Sequence, residues 1–145
     1  MAGQPIQFFE VYRIGKLTMN REKVIFAFFI VLALTLNFGF VLGEIDNAEH
    51  HDVFELFAAL VVSLICTVLK FGDRTHLGAL MLATSLVADV QLVIAAVFWG
   101  YGEQVAATGM TPKMMASVVS FAAGALVANL ISVILLVVET ALVRR

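Results

Sequence analysis

DVFELFAALVVSLICTVLKFGDR, Asp52 to Arg74, is the stretch on which the reading of the fold turns. Between Val53 and Phe71 the only charged side chains are Glu55 and Lys70, one near each end. At a rise of about 1.5 Å per residue, such a run crosses a hydrocarbon core about 30 Å thick. Successive residues of a helix turn by about 100°, which gathers Glu55, Ala59, Ser63, Cys66, Thr67 and Lys70 into roughly a third of its circumference. Val53, Leu56, Phe57, Leu60, Val61, Leu64 and Val68 make up the remainder. A carboxylate, hydroxyls, a thiol and an ammonium in one stripe fit the lining of a polar path. They equally fit the tight side of a helix packed on its neighbours, since Ser, Thr and Cys bond back to their own carbonyls and Lys70 can snorkel.

The same signature runs through the whole chain. Of its 145 residues, 61 % are hydrophobic and 14 % charged, with a mean hydropathy of +0.99. Soluble domains are about 45–50 % apolar and about 25 % charged, so this composition belongs to an integral membrane protein. A net charge of −2 excludes the cation clusters of a nucleic-acid binder. The single cysteine, Cys66, allows neither an intrachain disulfide framework nor a cysteine metal site. The opening MAGQPIQFFEVYRIGK lacks the apolar core and cleavage site of a signal peptide.

Working outward, four spans are expected, at about 24–42, 53–71, 77–99 and 114–138. Residues 1–23 form a cytoplasmic interfacial segment and 24–145 a single four-helix transmembrane domain. In the first segment Ile6, Phe8, Phe9, Val11, Tyr12 and Ile14 alternate with Glu10, Arg13 and Lys16, as in a short amphipathic helix lying along the membrane. Gly72 to Thr75 is a tight turn, and Gly100 to Lys113 a polar loop after an aromatic belt of Trp99 and Tyr101. Arg13, Lys16, Arg21 and Lys23, then Lys70 and Arg74, then Arg144 and Arg145 fall on one side of such a protein. The positive-inside rule makes that side cytoplasmic. The acidic loop GEIDNAEHHD, Gly43 to Asp52, is then external.

Asp89 lies in mid-span, where an ionised carboxylate costs about 2.5–3.5 kcal/mol unless it meets protein, water or a cation. Ser85 shares its face, and Thr84 and Gln91 lie nearly opposite, so both sides of the third span are expected to meet protein. Asp89 is either a cation- or proton-binding carboxylate or a packing element bonded to Asn129 or Asn37. On the fourth span, Ala116, Ser120, Gly124 and Ala128 form one small-residue ladder; Ala122, Ala125, Asn129 and Ser132 form another. Such ladders admit close helix approach. One ladder serves the bundle, and the second points to a homo-oligomer, the alternative being that spans one and three occupy both sides. The cluster Glu49, His50, His51 and Asp52, with Glu55 behind it, is the one metal-like group. Its alternative is a solvated acidic loop that concentrates cations by its field. The histidines lie outside the membrane or near its cytoplasmic edge, which leaves no pair of axial ligands for an intramembrane haem, and no cofactor is expected.

TVLKFGD, Thr67 to Asp73, is superficially similar to the TVGYGD filter of potassium channels. It has an extra residue, Leu69 in place of the first filter glycine, and an ammonium at Lys70, where a cation filter admits none. LNFGF, HHDVFELFAALV, TVLKFGDRT and LATSLVADVQL together resemble an uncharacterised family of small bacterial four-span inner-membrane proteins. That resemblance implies location and topology, and no activity.

The sequence therefore predicts an all-α bacterial inner-membrane protein with four spans, both termini cytoplasmic, in contact with the bilayer, inorganic cations and copies of itself. Without a nucleophile–base pair or phosphate loop, no enzyme is expected. The leading function is a cation-conducting or cation-coupled transport assembly. Glu44, Asp46, Glu49 and Asp52 would attract cations, Glu55 and Asp89 bind them, and Ser63, Cys66, Thr67 and Asn129 line the way. The alternative is an accessory subunit whose polar residues serve packing.

Overall fold

The structure, a computed structural model, describes residues 4–143, apart from the side chains of 4–6 and 14–20. Arg144 and Arg145, and the side chains of Ile6, Ile14 and Lys16, therefore lie outside the described residues. Four helices make up the chain: α1 (Gln4–Val41), α2 (Val53–Lys70), α3 (His76–Gln104) and α4 (Pro112–Val143), with a short 3-10 turn at Ala48–His50. Each contains a stretch long and apolar enough to cross a membrane, that of α1 beginning at Arg21. The N-terminal segment is helical as expected and continues into the first span. The chain's two prolines, Pro5 and Pro112, stand in first helical turns, so no proline interrupts α1 between them. In that segment Phe8, Phe9, Val11 and Tyr12 are exposed, away from the bundle.

Side chains cap three of the helix starts. Asp52 accepts the Phe54 N–H at 2.8 Å, Thr75 the Gly78 N–H at 3.0 Å, and Thr111 the Met114 N–H at 3.2 Å. The last of these corrects the polar loop expected at 100–113. α3 runs on to Gln104, and α4 begins at Pro112, directly after its cap. Gly100 and Gly102 are helical; a Cβ on Gly102 would lie 2.9 Å from the Met110 side chain, so this glycine serves packing. The hairpin between α2 and α3 turns at Gly72, whose φ of +90° suits glycine.

Each helix packs against its sequence neighbours, and α1 closes against α4. This is an up-down-up-down bundle. On α2, Leu56, Ala59, Ser63, Cys66 and Lys70 are buried, whereas Phe54, Phe57, Val61, Leu64, Val68 and Phe71 are exposed. The small, polar stripe thus faces the bundle, and the large apolar side chains face what the membrane supplies as solvent. The interior has two apolar clusters. One, toward the acidic loops, includes Phe40, Leu56, Ala59, Ala88, Leu92, Met115, Ala122 and Ala125; the other, toward the opposite, basic end, includes Phe26, Ile30, Cys66, Met81 and Leu136.

Candidate functional site

Between the two apolar clusters lies a polar layer. Read along the helices, Ser63 separates Ala59 from Cys66, Ser85 separates Met81 from Ala88, and Asn129 and Ser132 separate Ala128 from Leu136. Asn37 of α1 lies one turn before Phe40, and Asp89 follows Ala88. Asn37, Ser63, Ser85, Asn129 and Ser132 are fully buried, and Asp89 is 6 % exposed. Thr67 Oγ1 donates to Asp89 Oδ2 at 2.5 Å and makes a longer bond to the Ser63 carbonyl, 3.3 Å. The partner of Asp89 is therefore a hydroxyl of α2 rather than Asn129 or Asn37. Its other oxygen, Oδ1, has no hydrogen-bond partner within the described residues, and neither do Ser63 Oγ, Ser85 Oγ or the side-chain amides of Asn37 and Asn129. Buried polar groups are nearly always paired, so five such residues spread over four helices form an unusual concentration.

Both polar faces of α3 meet protein, as the sequence indicates. Asp89 faces α2, while Thr84 and Ser132 of α4 share a 2.5 Å hydroxyl contact. Gln91 lies on Gly124 of α4, where an added Cβ would stand 2.6 Å from Gln91 Oε1. The ladder Ala122, Ala125, Asn129 and Ser132 is turned inward, whereas Ser120 of the other ladder is exposed and Ala116 and Gly124 are half-buried. Gly124 therefore packs within its own chain. Gly124→Leu is expected to unseat Gln91 and loosen the α3–α4 pair, lowering the thermal midpoint in detergent by several degrees, an overpacking cost of about 1–3 kcal/mol. Ala116→Leu, on the half-covered part of the ladder, should leave that midpoint nearly unchanged.

The two charges of the α2 stripe lie apart from this layer. The Glu55 carboxylate rests against the α1 backbone at Gly39, where a Cβ would be 2.9 Å from Oε1. Lys70 is covered by protein. It is 7 % exposed, with its ammonium 4.5 Å from the centre of the Phe26 ring and 3.5 Å from Asp73. The Thr75 backbone N–H, the Thr75 hydroxyl and the Lys70 ammonium hold the Asp73 carboxyl below its ordinary 3.8. Cys66 lies in the basic-end apolar cluster, so of the expected path-lining residues Ser63, Thr67 and Asn129 belong to the polar layer and Cys66 does not.

At the acidic end both histidines are engaged in holding the loop. His51 is 4 % exposed; its Nδ1 lies 2.6 Å from the Phe40 carbonyl and its Nε2 2.8 Å from the Glu44 carbonyl. Two carbonyls accept only, so both contacts are hydrogen bonds together when the ring carries a proton on each nitrogen. His50 Nδ1 accepts the Glu44 N–H at 3.2 Å, so adjacent imidazoles clasp both sides of one residue's backbone. Gly43 (φ +115°) allows this closure, since a Cβ there would come within 2.7 Å of His50 Cβ. The Asp52 carboxylate caps α2. Glu49, Asp52, His50 and His51 are thus not gathered around a point, and no group of three or more His, Cys, Asp or Glu side chains forms a metal cluster among the described residues. Glu44, Asp46 and Asn47 instead line a pocket against Thr111 and Met115 at the mouth of the bundle. His51→Leu strands the Phe40 carbonyl, at a cost of about 1–3 kcal/mol, and leaves the Glu44 carbonyl with the Asn47 N–H alone, so it should lower the thermal midpoint more than His51→Gln, which keeps N–H donors.

Chemically, the polar layer offers one carboxylate oxygen, two amide oxygens and two hydroxyls, the hard oxygen donors that suit alkali and alkaline-earth cations. Asn37 and Ser85 complete it. The sequence places Ser85 one turn from Asp89 and offers Asn37 as a bonding partner of Asp89; the packing of α1 buries Asn37 without that bond. Residues 50–140 match the family model described as a family of unknown function (DUF6394). No curated protein and no solved structure matches the chain.

Proposed function

The chain belongs to a family of unknown function (DUF6394), and from that premise we propose that it is a cation-handling protein of the bacterial inner membrane, a transport assembly in which each bundle holds its ion at Asp89. The observation that carries this reading is the unpartnered Asp89 Oδ1 in a layer where Asn37, Ser63, Ser85 and Asn129 are also unpartnered. A buried carboxylate and four buried amide or hydroxyl groups without partners are costly in an apolar interior. A bound cation offsets that cost by taking their oxygens as ligands. The inward aim of these groups within one chain favours a site inside each bundle over a pore between copies. With the basic end cytoplasmic, by the positive-inside rule, the pocket at Glu44 and Asp46 opens outward and raises the local cation concentration. Glu55 stands between that mouth and the layer along α2. Exposed Ser120 beside half-buried Ala116 supports assembly of copies through α4.

A second reading is favoured by the Thr67–Asp89 and Thr84–Ser132 contacts, which tie α2 to α3 and α3 to α4. On that reading the layer is interhelical glue in an accessory subunit. Reconstituted vesicles separate the two. Purified protein should carry potassium, sodium, calcium, magnesium or protons faster than protein-free vesicles. Absence of flux for all five would leave the accessory role.

A further inference from the structure

We propose that the basic end of the bundle holds the headgroup of a phospholipid bearing a primary amine, of the phosphatidylethanolamine type. A pocket there is bounded by the start of the first span, the end of α2, the following turn and the end of α4. Its polar wall carries both signs of charge: Lys23 and Lys70 with Glu22, Asp73 and Glu139. Lys70 and Asp73 are committed to one another, and Lys70 also to the Phe26 ring, so this pair forms a fixed floor. Lys23, Glu22 and Glu139 remain to meet a ligand. Glu139 Oε2 is buried and has no hydrogen-bond partner among the described residues.

A carboxylate oxygen placed so calls for a charged N–H donor, and Lys23 calls for an anion. A zwitterionic headgroup supplies both, with its ammonium on Glu139 and Glu22 and its phosphate on Lys23. Choline carries no N–H to give Glu139, and a purely anionic headgroup meets the carboxylates of Glu22 and Glu139. The rest of the ligand also has a place. Phe71 and Val68, 78 % and 73 % exposed, stand at the pocket, and Leu64, Val61 and Phe57 continue the apolar stripe up α2. An acyl chain lying along that stripe ends with its headgroup in the pocket, at the level where the helices leave the hydrocarbon.

Native mass spectrometry of the delipidated full chain in detergent tests this. Phosphatidylethanolamine should be retained about tenfold more than phosphatidylcholine or phosphatidylglycerol of the same chains, the factor expected for one hydrogen bond to a charged group. Glu139→Gln should abolish that preference, and Lys23→Gln should weaken retention of all three. Glu22→Gln, at an exposed position, should reduce the preference and serves if Glu139→Gln does not fold. Soluble phosphoethanolamine at matched concentration should not compete. Equal retention of the three lipids, a preference unchanged in folded Glu139→Gln or Glu22→Gln protein, or full competition by phosphoethanolamine would each overturn the proposal.

Discussion

Asp89→Asn protein in reconstituted vesicles is expected to lose cation flux to the level of protein-free vesicles, at every salt concentration. The substituted amide keeps the shape of the side chain and an oxygen for the Thr67 hydroxyl, so the α2–α3 contact survives. What disappears is the carboxylate, in a buried layer where salt has little access. Neutralising Glu44, Asp46 and Glu49 together should act differently. These side chains are exposed, and their field is screened over about 8–10 Å at physiological salt. The triple variant should therefore lose flux at low ionic strength and recover most of it at high. A folded, assembled Asp89→Asn protein with wild-type flux would make the carboxylate a packing element and end the transport reading.

The parts of this arrangement differ in how far the sequence foretells them. The spans follow from length and hydropathy, and the inward face of α2 follows from the spacing of Ala59, Ser63, Cys66 and Lys70, because helical periodicity is a local property. The layer itself is not local. Thr67 reaches Asp89 only through the register of α2 on α3, twenty-two residues apart in the chain. Asn37 joins only because α1 closes against α4. Lys70 looks from sequence like a snorkelling residue, yet Phe26 from α1 and Asp73 from the turn supply both an aromatic face and a counter-charge. His50 and His51 look like metal ligands because their composition is right; the folding-back at Gly43 gives Glu44 and Phe40 the claim on three of their ring nitrogens. Gly100 and Gly102 look like a loop because glycine in sequence does not distinguish a turn from a close helix contact.

Replacing both buried asparagines, Asn37→Leu with Asn129→Leu, is expected to stabilise the bundle while abolishing flux. Leu has the same number and branching of side-chain heavy atoms as Asn, and both amides are fully buried with neither side-chain atom hydrogen-bonded within the described residues. Each unpaired buried polar group costs about 1–3 kcal/mol, so removing the amides relieves a cost that no bond in the chain offsets. Leu36, Phe40, Ala125 and Ala128 already line the adjoining cluster and give the new side chains apolar neighbours. The same double change strips two oxygens from the proposed coordination shell around Asp89. Thermal unfolding in detergent should show a higher midpoint than wild type, and vesicle flux should fall to background. Polar groups kept for binding at the expense of stability produce this opposition between the two measurements. Packing glue produces the reverse: if the asparagines hold the helices together, the double variant unfolds at a lower temperature. A lowered midpoint would therefore assign the layer to assembly, and a raised midpoint with flux intact would remove the asparagines from the ion's path.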